Sequence, residues 1–282
     1  MMISKEILRR IELVVFDLDG TLLDDDGNVS AETAGLVKQL SAMNVKFSIA
    51  TGRLLSAVTE IADQLEIKIP LITLDGTLIQ RYPAGESIFQ KHLPEKYVHR
   101  ALKLADQYLL KIVLCHPSAV YFTEENVHEA FMKTKLGAKF QKVASYENYS
   151  DDTLEVLIAG DYFDNMKHVS KLMTFPHTFG VKRSLYKSNQ MGGTYMLEIR
   201  RMGCSKGEGM KKLLKHLKIK PSRTAVIGDW YNDKSLFETE ALKVAMSNAV
   251  PDLKRIADVV TKKDNNEGGV AEFLKMLLQA KK

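Results

Sequence analysis

The stretch "ELVVFDLDGT" runs from Glu12 to Thr21, and its reading decides the fold. Leu13 to Phe16 form a short, unbroken apolar run of the kind expected of a buried strand. The run stops on Asp17, Asp19 follows two residues later, Gly20 permits a sharp turn and Thr21 can stabilise it. A period of two places both carboxylates on the same side of the chain. In open α/β sheets, ligands sit just beyond the carboxyl ends of the strands, where such a pair would meet them.

Two close carboxylates repel unless a cation or a proton lies between them. Either arrangement suits phosphoryl transfer: one carboxylate attacks phosphorus, a divalent cation screens the charge and the second carboxylate manages protons. Taken alone, however, Asp-Gly is a common turn dipeptide, and two turn aspartates account for it equally well.

Outward from this stretch, short β-branched runs alternate with helical patterns. "VKFSIA" (45–50) and "PLITL" (70–74) read as further strands, with helices over 30–43 and 54–65 between them. The alternation predicts a parallel α/β sheet. The rhythm resumes near the C-terminus: a helix over 205–217, the strand "TAVIGD" (224–229), a helix over 232–240, the strands "LKVAM" (242–246) and "DVVT", and a closing amphipathic helix in "GGVAEFLKMLLQA".

The middle differs. Strand patterns at 111–116, 119–123, 154–160 and 193–199 accompany helical stretches near 94–108, 124–136 and 162–173, and "CHPSAVYF" has hairpin spacing. This predicts an α+β domain over 84–192 inserted into a catalytic domain formed by 1–83 and 193–282, with strand 193–199 returning the chain to the parallel sheet.

Composition excludes several classes. The chain has 282 residues, 45% hydrophobic and 27% charged, as expected for a folded globular protein. Its +5 net charge is spread along the chain, without the clustered Lys/Arg and interleaved aromatics of a nucleic-acid surface. The two cysteines, Cys115 and Cys204, form no metal or disulfide pattern and are expected to be reduced. There is neither a signal peptide nor an apolar run of ~18 residues, so a cytoplasmic protein without a membrane partner is expected.

Three further segments carry chemistry. "ATGR" (50–53) offers the Thr51 hydroxyl and the open Gly52 amide at a strand end, with the next helix expected to start there as an anion cradle. Arg53 could pair with a phosphate or simply begin that helix. "CSKG" (204–207) places Lys206 at a helix start, where the dipole disfavours a cation unless an anion is near. "VIGDWYND" (226–233) ends a strand with Asp229 followed by Asn232 and Asp233, oxygen donors suited to a hard cation or to a helix cap. Trp230, between them, is expected to anchor the loop.

In their order, "VFDLDGT", "IATGR", "SKG" and "GDWYND" resemble the four motifs of the haloacid dehalogenase superfamily, and the insertion between the second and third resembles a class IIB cap, as in Cof-type phosphatases. The resemblance covers nearly the whole chain. It implies a Rossmann-like, doubly wound parallel core with an α+β cap, and a Mg²⁺-dependent phosphomonoesterase acting through an aspartyl-phosphate on a small phosphate ester such as a sugar phosphate. Asp17 is implied as nucleophile and Asp19 as general acid and base. Leu18, Thr51, Gly52, Arg53, Lys206 and Asn232 form the implied phosphate and substrate set, and Asp17, Asp19, Asp229 and Asp233 the implied metal set. A monomer or homodimer is expected. A phosphomutase and a non-catalytic phosphate sensor share this fold.

Two features depart from the family pattern. "LEIRRMGCSKG" has Arg200 and Arg201 where a proline is common, and these are expected to affect a hinge or add a positive edge to the site. The second departure is "DGT" in place of "NGA" after the third strand. It makes "LDGTL" occur twice, at 18–22 and 74–78, with Thr73 standing where the first copy has Asp17. The second copy therefore lacks a nucleophile. Asp75 and Gly76 either shape the substrate side of the pocket or form a turn into the inserted domain.

Overall fold

The apolar run before Asp17 becomes a strand buried along its whole length, and the remaining elements are arranged around it. The computed structural model describes residues 3–123, 139–187 and 193–282. The helix expected over 124–136 lies outside the described residues.

Along the chain run α1 (Lys5–Arg9), β1 (Leu13–Phe16), α2 (Ala31–Ala42), β2 (Lys46–Ile49), α3 (Thr59–Gln64), β3 (Leu71–Thr73), β4 (Leu78–Gln80) and β5 (Ser87–Gln90). Next come α4 (Glu95–Gln107), β6 (Lys111–Cys115), β7 (Val120–Phe122), β8 (Phe140–Lys142), β9 (Glu155–Gly160), α5 (Phe163–Leu172), β10 (Val181–Lys187) and β11 (Tyr195–Arg201). The last are α6 (Lys206–Leu217), β12 (Thr224–Gly228), α7 (Lys234–Phe237), β13 (Leu242–Ala245), α8 (Pro251–Ile256), β14 (Val259–Val260) and α9 (Gly269–Lys281).

The chain divides into two units: Met1–Gly52 with Thr59–Phe89 and Ser205–Lys282, and Arg53–Val58 with Gln90–Cys204. The first is built on a five-stranded parallel sheet of order β14-β13-β12-β1-β2. β1 lies between β12 and β2, and all four of its residues are buried, so both faces of the sheet are covered here and the sequence can be apolar throughout. Phe16 stacks on Phe47 with ring centroids 5.7 Å apart. Ser30 caps α2 by accepting a hydrogen bond from the Thr33 amide at 3.2 Å, the local reason this helix starts where the pattern predicts.

The stretch expected as one helix over 54–65 is interrupted. A 3₁₀ turn at Leu55–Ala57 precedes α3, and Val58 between them leaves the helical conformation at φ −121°. Gly52 is thus not followed directly by an α-helix N-terminus.

The second unit has a mainly antiparallel sheet of order β10-β11-β9-β6-β7-β8, in which β7 and β8 run parallel. The hairpin expected from "CHPSAVYF" is present as β6–β7. Strand 193–199 departs from expectation. It forms β11, which pairs antiparallel with β9 and β10 in this sheet instead of joining the parallel one. The alternation of β11 explains why: Leu197 and Ile199 join Val156 and Ile158 in the apolar cluster under α4 and α5, while Glu198 and Arg200 point the other way. β10, "VKRSLYK", has no apolar period and was not legible as a strand; as an edge strand it is mostly exposed or half-buried.

The polar side of this sheet holds a buried ion cluster. The Arg200 guanidinium lies 3.2 Å from Glu155 and also bonds Glu198, which accepts a hydrogen bond from the Tyr186 hydroxyl at 2.8 Å. Burial, and then Glu198, raises the Tyr186 phenol above its ordinary value, so it stays a donor. Arg200 is therefore committed within its own sheet rather than providing a positive edge. Replacing Arg200 with Met leaves two carboxylates without their cation, and we expect a loss of about 3–5 kcal/mol. Urea unfolding checks this, with hydrogen exchange in β9 and β11 locating the loss in this sheet.

Candidate active site

Strand register places the first residues of the site. Phe16 pairs with Ile227 on one side and with Ile49 on the other, so β1, β12 and β2 end side by side. Asp17 and Asp229 directly follow β1 and β12, and Thr51 stands two residues beyond β2, so three distant parts of the sequence meet here. Asp17 continues the ladder, donating its amide to the Ile227 carbonyl at 2.9 Å.

Lys206 enters from the start of α6, whose cap Ser205 accepts from the Glu208 amide at 3.2 Å. The lysine is 1% exposed, and its ammonium donates to Asp17 Oδ1 at 2.7 Å and to Asp233 Oδ1 at 2.6 Å. A cation at the positive end of a helix implied a nearby anion, and the structure supplies two carboxylates. Burial by itself lowers the lysine's proton affinity, but Asp17 and Asp233 outweigh it and hold the amine well above its ordinary value.

The second oxygen of Asp233 accepts from the amides of Asp229 and Trp230 at 3.0 and 3.1 Å. Asp233 thus ties the loop after β12 to Lys206. Gly228 makes room for it, since a Cβ there would lie 2.6 Å from the Asp233 carboxyl carbon. This linkage, not Trp230, anchors the loop: Trp230 is exposed and stacks edge-on to Tyr231.

Carboxylate oxygens of Asp17, Asp229 and Asp233 lie within 4.8 Å of one another, all buried. Burial, followed by the charge of Asp233, pushes the Asp17 carboxyl well above its usual range despite Lys206. Asp229 is pushed up to about 6, chiefly by burial, against a 2.7 Å hydrogen bond from the Thr21 hydroxyl that favours its charged form. Three carboxylates share one ammonium, so the cluster lacks positive charge. An all-oxygen donor set of this kind fits a hard divalent cation. The carboxylate of Asp19 is not part of the trio; it is exposed on the turn after β1.

The remaining expected residues take different places. Leu18 is fully buried, and its carbonyl accepts from the Thr21 and Leu23 amides at 3.2 and 3.0 Å, closing the turn. Thr51 is buried; its amide donates to Ile72, and its carbonyl accepts from the Asp75 amide, both at 2.9 Å. Asn232 is exposed and donates from Nδ2 to Asp75 Oδ1 at 3.3 Å. A Cβ on Gly52 would lie 3.5 Å from that same oxygen. Arg53 begins the short segment Arg53–Val58 that groups with the second unit.

Sequence reasoning missed Asn248, whose side-chain amide donates to the Gly20 carbonyl at 2.8 Å and clamps the first turn. It also assigned Thr21 to the turn alone, although its hydroxyl reaches Asp229, 208 positions away. Gly20, at φ +76°, is needed on two grounds: a Cβ would lie 2.5 Å from Asp229 Oδ2, and the backbone is left-handed. Asn248 stands in "SNAVPD", two residues before the N-cap Val250 of α8, and its partner Gly20 lies 228 positions away, so no local pattern marks it.

With this geometry in place, comparison with known proteins identifies the family. Residues 14–274 match the family of haloacid dehalogenase-like hydrolases. Phosphatase YwpJ of Bacillus subtilis is 28% identical, over 95% of this chain and 100% of its own length. The 5-amino-6-(5-phospho-D-ribitylamino)uracil phosphatase YitU of the same organism is 27% identical, over 93% and 96%. A crystal structure of a haloacid dehalogenase-like hydrolase from Bacteroides thetaiotaomicron superposes with a TM-score of 0.83 at 23% identity, covering 94% of this chain and 98% of the other. Motif order, the parallel sheet and the carboxylate–lysine cluster at its rim agree with that match: this chain belongs to the haloacid dehalogenase-like hydrolase family and is a phosphatase.

Proposed function

We propose that the protein is a Mg²⁺-dependent phosphomonoesterase that acts through an aspartyl-phosphate on a small phosphorylated metabolite, a sugar or polyol phosphate. The observation that carries this reading is Asp17: a buried carboxylate at the end of β1, bonded to the Lys206 ammonium at 2.7 Å and grouped with Asp229 and Asp233. The name of YitU, which specifies a phosphorylated ribityl chain, supports the substrate class.

In this mechanism Asp17 attacks phosphorus, and the bond to the ester oxygen breaks as the Asp17–phosphorus bond forms. Asp19 gives its proton to the departing alkoxide. Its exposed place on the turn after β1 suits a group that must meet the leaving alcohol. Asp19 then takes a proton from water, which attacks the aspartyl-phosphate, releasing inorganic phosphate and restoring Asp17. Lys206 and the Thr51 hydroxyl hold phosphoryl oxygens, and the Gly52 amide assists. Asp17, Asp229 and Asp233 would hold Mg²⁺, with the Asp19 carbonyl; when bound, the ion neutralises negative charge in the cluster and on the phosphoryl oxygens. The inserted domain, 84–192 in sequence and extended by β11, is proposed to set substrate choice.

Two experiments test this. Asp17→Asn keeps the side chain's shape and removes the nucleophile, so kcat on p-nitrophenyl phosphate with Mg²⁺ should fall by 10³-fold or more. Near-normal turnover sinks the mechanism. A panel of phosphorylated metabolites, scored for phosphate release, then finds the substrate.

The second experiment uses the carboxyl of Asp229. Its folded-state value of about 6 lies above the ordinary unfolded one, so it contributes stability fully present below about pH 4 and lost as pH rises through 6. In metal-free protein Asp229→Asn should therefore gain on the wild type in thermal melting between pH 5 and 7.5, by on the order of 2 kcal/mol. Mg²⁺ should raise the wild-type melting temperature more at pH 7.5 than at pH 5, and Asp229→Asn should lose that difference.

A further inference from the structure

The turn that carries Asp19 is held by a residue the proposed mechanism does not use. Gly20, next to Asp19, is left-handed at φ +76°. Glycine has more backbone freedom than any other residue, so the turn would twist most easily here. The peptide that follows Gly20 is nevertheless fixed at both of its polar groups. Its N–H, on Thr21, donates to the Leu18 carbonyl at 3.2 Å. Its C=O, on Gly20, accepts from Asn248 Nδ2 at 2.8 Å.

Asn248 is itself placed by the strand end that carries Asp229. The loop after β13 closes against β12 at two points. The Met246 amide donates to the Gly228 carbonyl at 3.2 Å, and the Val250 amide to the Asp229 carbonyl at 2.9 Å. Between them the Ser247 amide donates to the Thr261 hydroxyl at 3.0 Å. The loop is thus a bracket fixed on Asp229, and Asn248 is its arm to the turn. A second tie runs the same way, from the Thr21 hydroxyl to Asp229 Oδ1 at 2.7 Å. Both residues that follow Asp19 are therefore held in register with Asp229.

Asn248 is exposed, so its hydrogen bond competes with water and adds little to global folding. What it fixes is orientation. A general acid works only within hydrogen-bond reach of the oxygen it protonates, and a misplacement of about 1 Å costs on the order of 10²-fold in rate. Resting on the phosphomonoesterase reading above, we propose that Asn248 is a positioning residue for proton transfer: by holding the Gly20 carbonyl, it sets the turn so that Asp19 meets the leaving oxygen in register with the carboxylate cluster. Asn248 acts through Asp19 and not by contact with the substrate. Its influence is therefore confined to steps that move a proton. As the oxygen–phosphorus bond breaks, a weakly acidic alcohol or phenol must take up the Asp19 proton to leave. A strongly acidic phenol leaves as its anion without that proton.

The test uses three aryl esters whose phenols rise in acidity: phenyl, p-nitrophenyl and 2,4-dinitrophenyl phosphate. The readout is kcat/KM with Mg²⁺, which reports events up to departure of the phenol and not the later hydrolysis of the aspartyl-phosphate. The wild type is compared with Asn248→Ala, Asn248→Asp, Asp19→Asn and the double variant. Ala removes the donor, and Asp keeps the shape while replacing the donor with an acceptor. Both Asn248 variants should lose about 10- to 100-fold on phenyl phosphate and about threefold or less on 2,4-dinitrophenyl phosphate. In the Asp19→Asn background, Asn248→Ala should cost about twofold or less, because the group it positions is already gone. Equal loss on all three esters, or an undiminished loss in the Asp19→Asn background, marks a structural role and overturns the proposal. Unchanged kcat/KM, or collapse of both Asn248 variants in thermal melting, overturns it as well. If Asp19→Asn itself loses the same factor on all three esters, the acid role of Asp19 fails and this proposal with it. If the wild type hydrolyses none of the three, the phosphomonoesterase reading is overturned.

Discussion

The buried ammonium of Lys206 is the constraint on which the site depends. It links Asp17 after β1 to Asp233 after β12, drawing three segments separated by almost the whole sequence onto one point. Such a group could not be buried without its two carboxylates, nor they without it. The fold therefore cannot place one of these side chains correctly and misplace the others. Asp233 extends the linkage by accepting two backbone amides with its other oxygen, and Thr21 and Asn248 extend it to the first turn.

Glycines at this rim are placed by contact as much as by turn geometry. Gly20 faces Asp229, Gly228 faces Asp233, Gly76 faces the Ser205 carbonyl and Gly207 faces that of Ser235. Each allows a backbone to approach a charged or polar group at a distance no Cβ permits. Close approach keeps water out of the cluster and raises its proton affinities. Asp17 and Asp229 consequently sit above their usual range despite the Lys206 ammonium. Local folding stability and readiness for a metal ion are the same electrostatic imbalance seen from two sides.

The second unit follows a different logic. Its sheet buries one apolar face under α4 and α5 and carries on the other an ion cluster of Glu155, Glu198 and Arg200 with Tyr186. Charged side chains in adjacent strands pair with one another there, so Arg200, which looks like part of a basic edge in sequence, is spent inside the sheet. Cys115 lies on the same face, fully buried, with burial raising its thiol well above the ordinary value, so it remains an inert thiol.

Much of this was legible in the sequence because it is local. An apolar run ending in two aspartates, Ser30 three residues before Thr33, and a lysine just after a capping serine each carry their meaning within a few positions. Strand ends of a parallel sheet share one edge, so four motifs at strand ends and helix starts had to converge. What sequence could not supply depends on pairing between distant residues. It did not assign β11 to the antiparallel sheet, because that place is fixed by pairing with β9 and β10, which are distant in sequence or carry no apolar period. It could not give Thr21 its bond to Asp229, or Asn248 its clamp on Gly20, since neither separation leaves a local pattern. And it could not tell the two "LDGTL" copies apart beyond the missing nucleophile. Packing against Thr51 and Ser205 forces the second copy into a left-handed loop and carries Asp75 to the rim, a placement made by tertiary contacts alone.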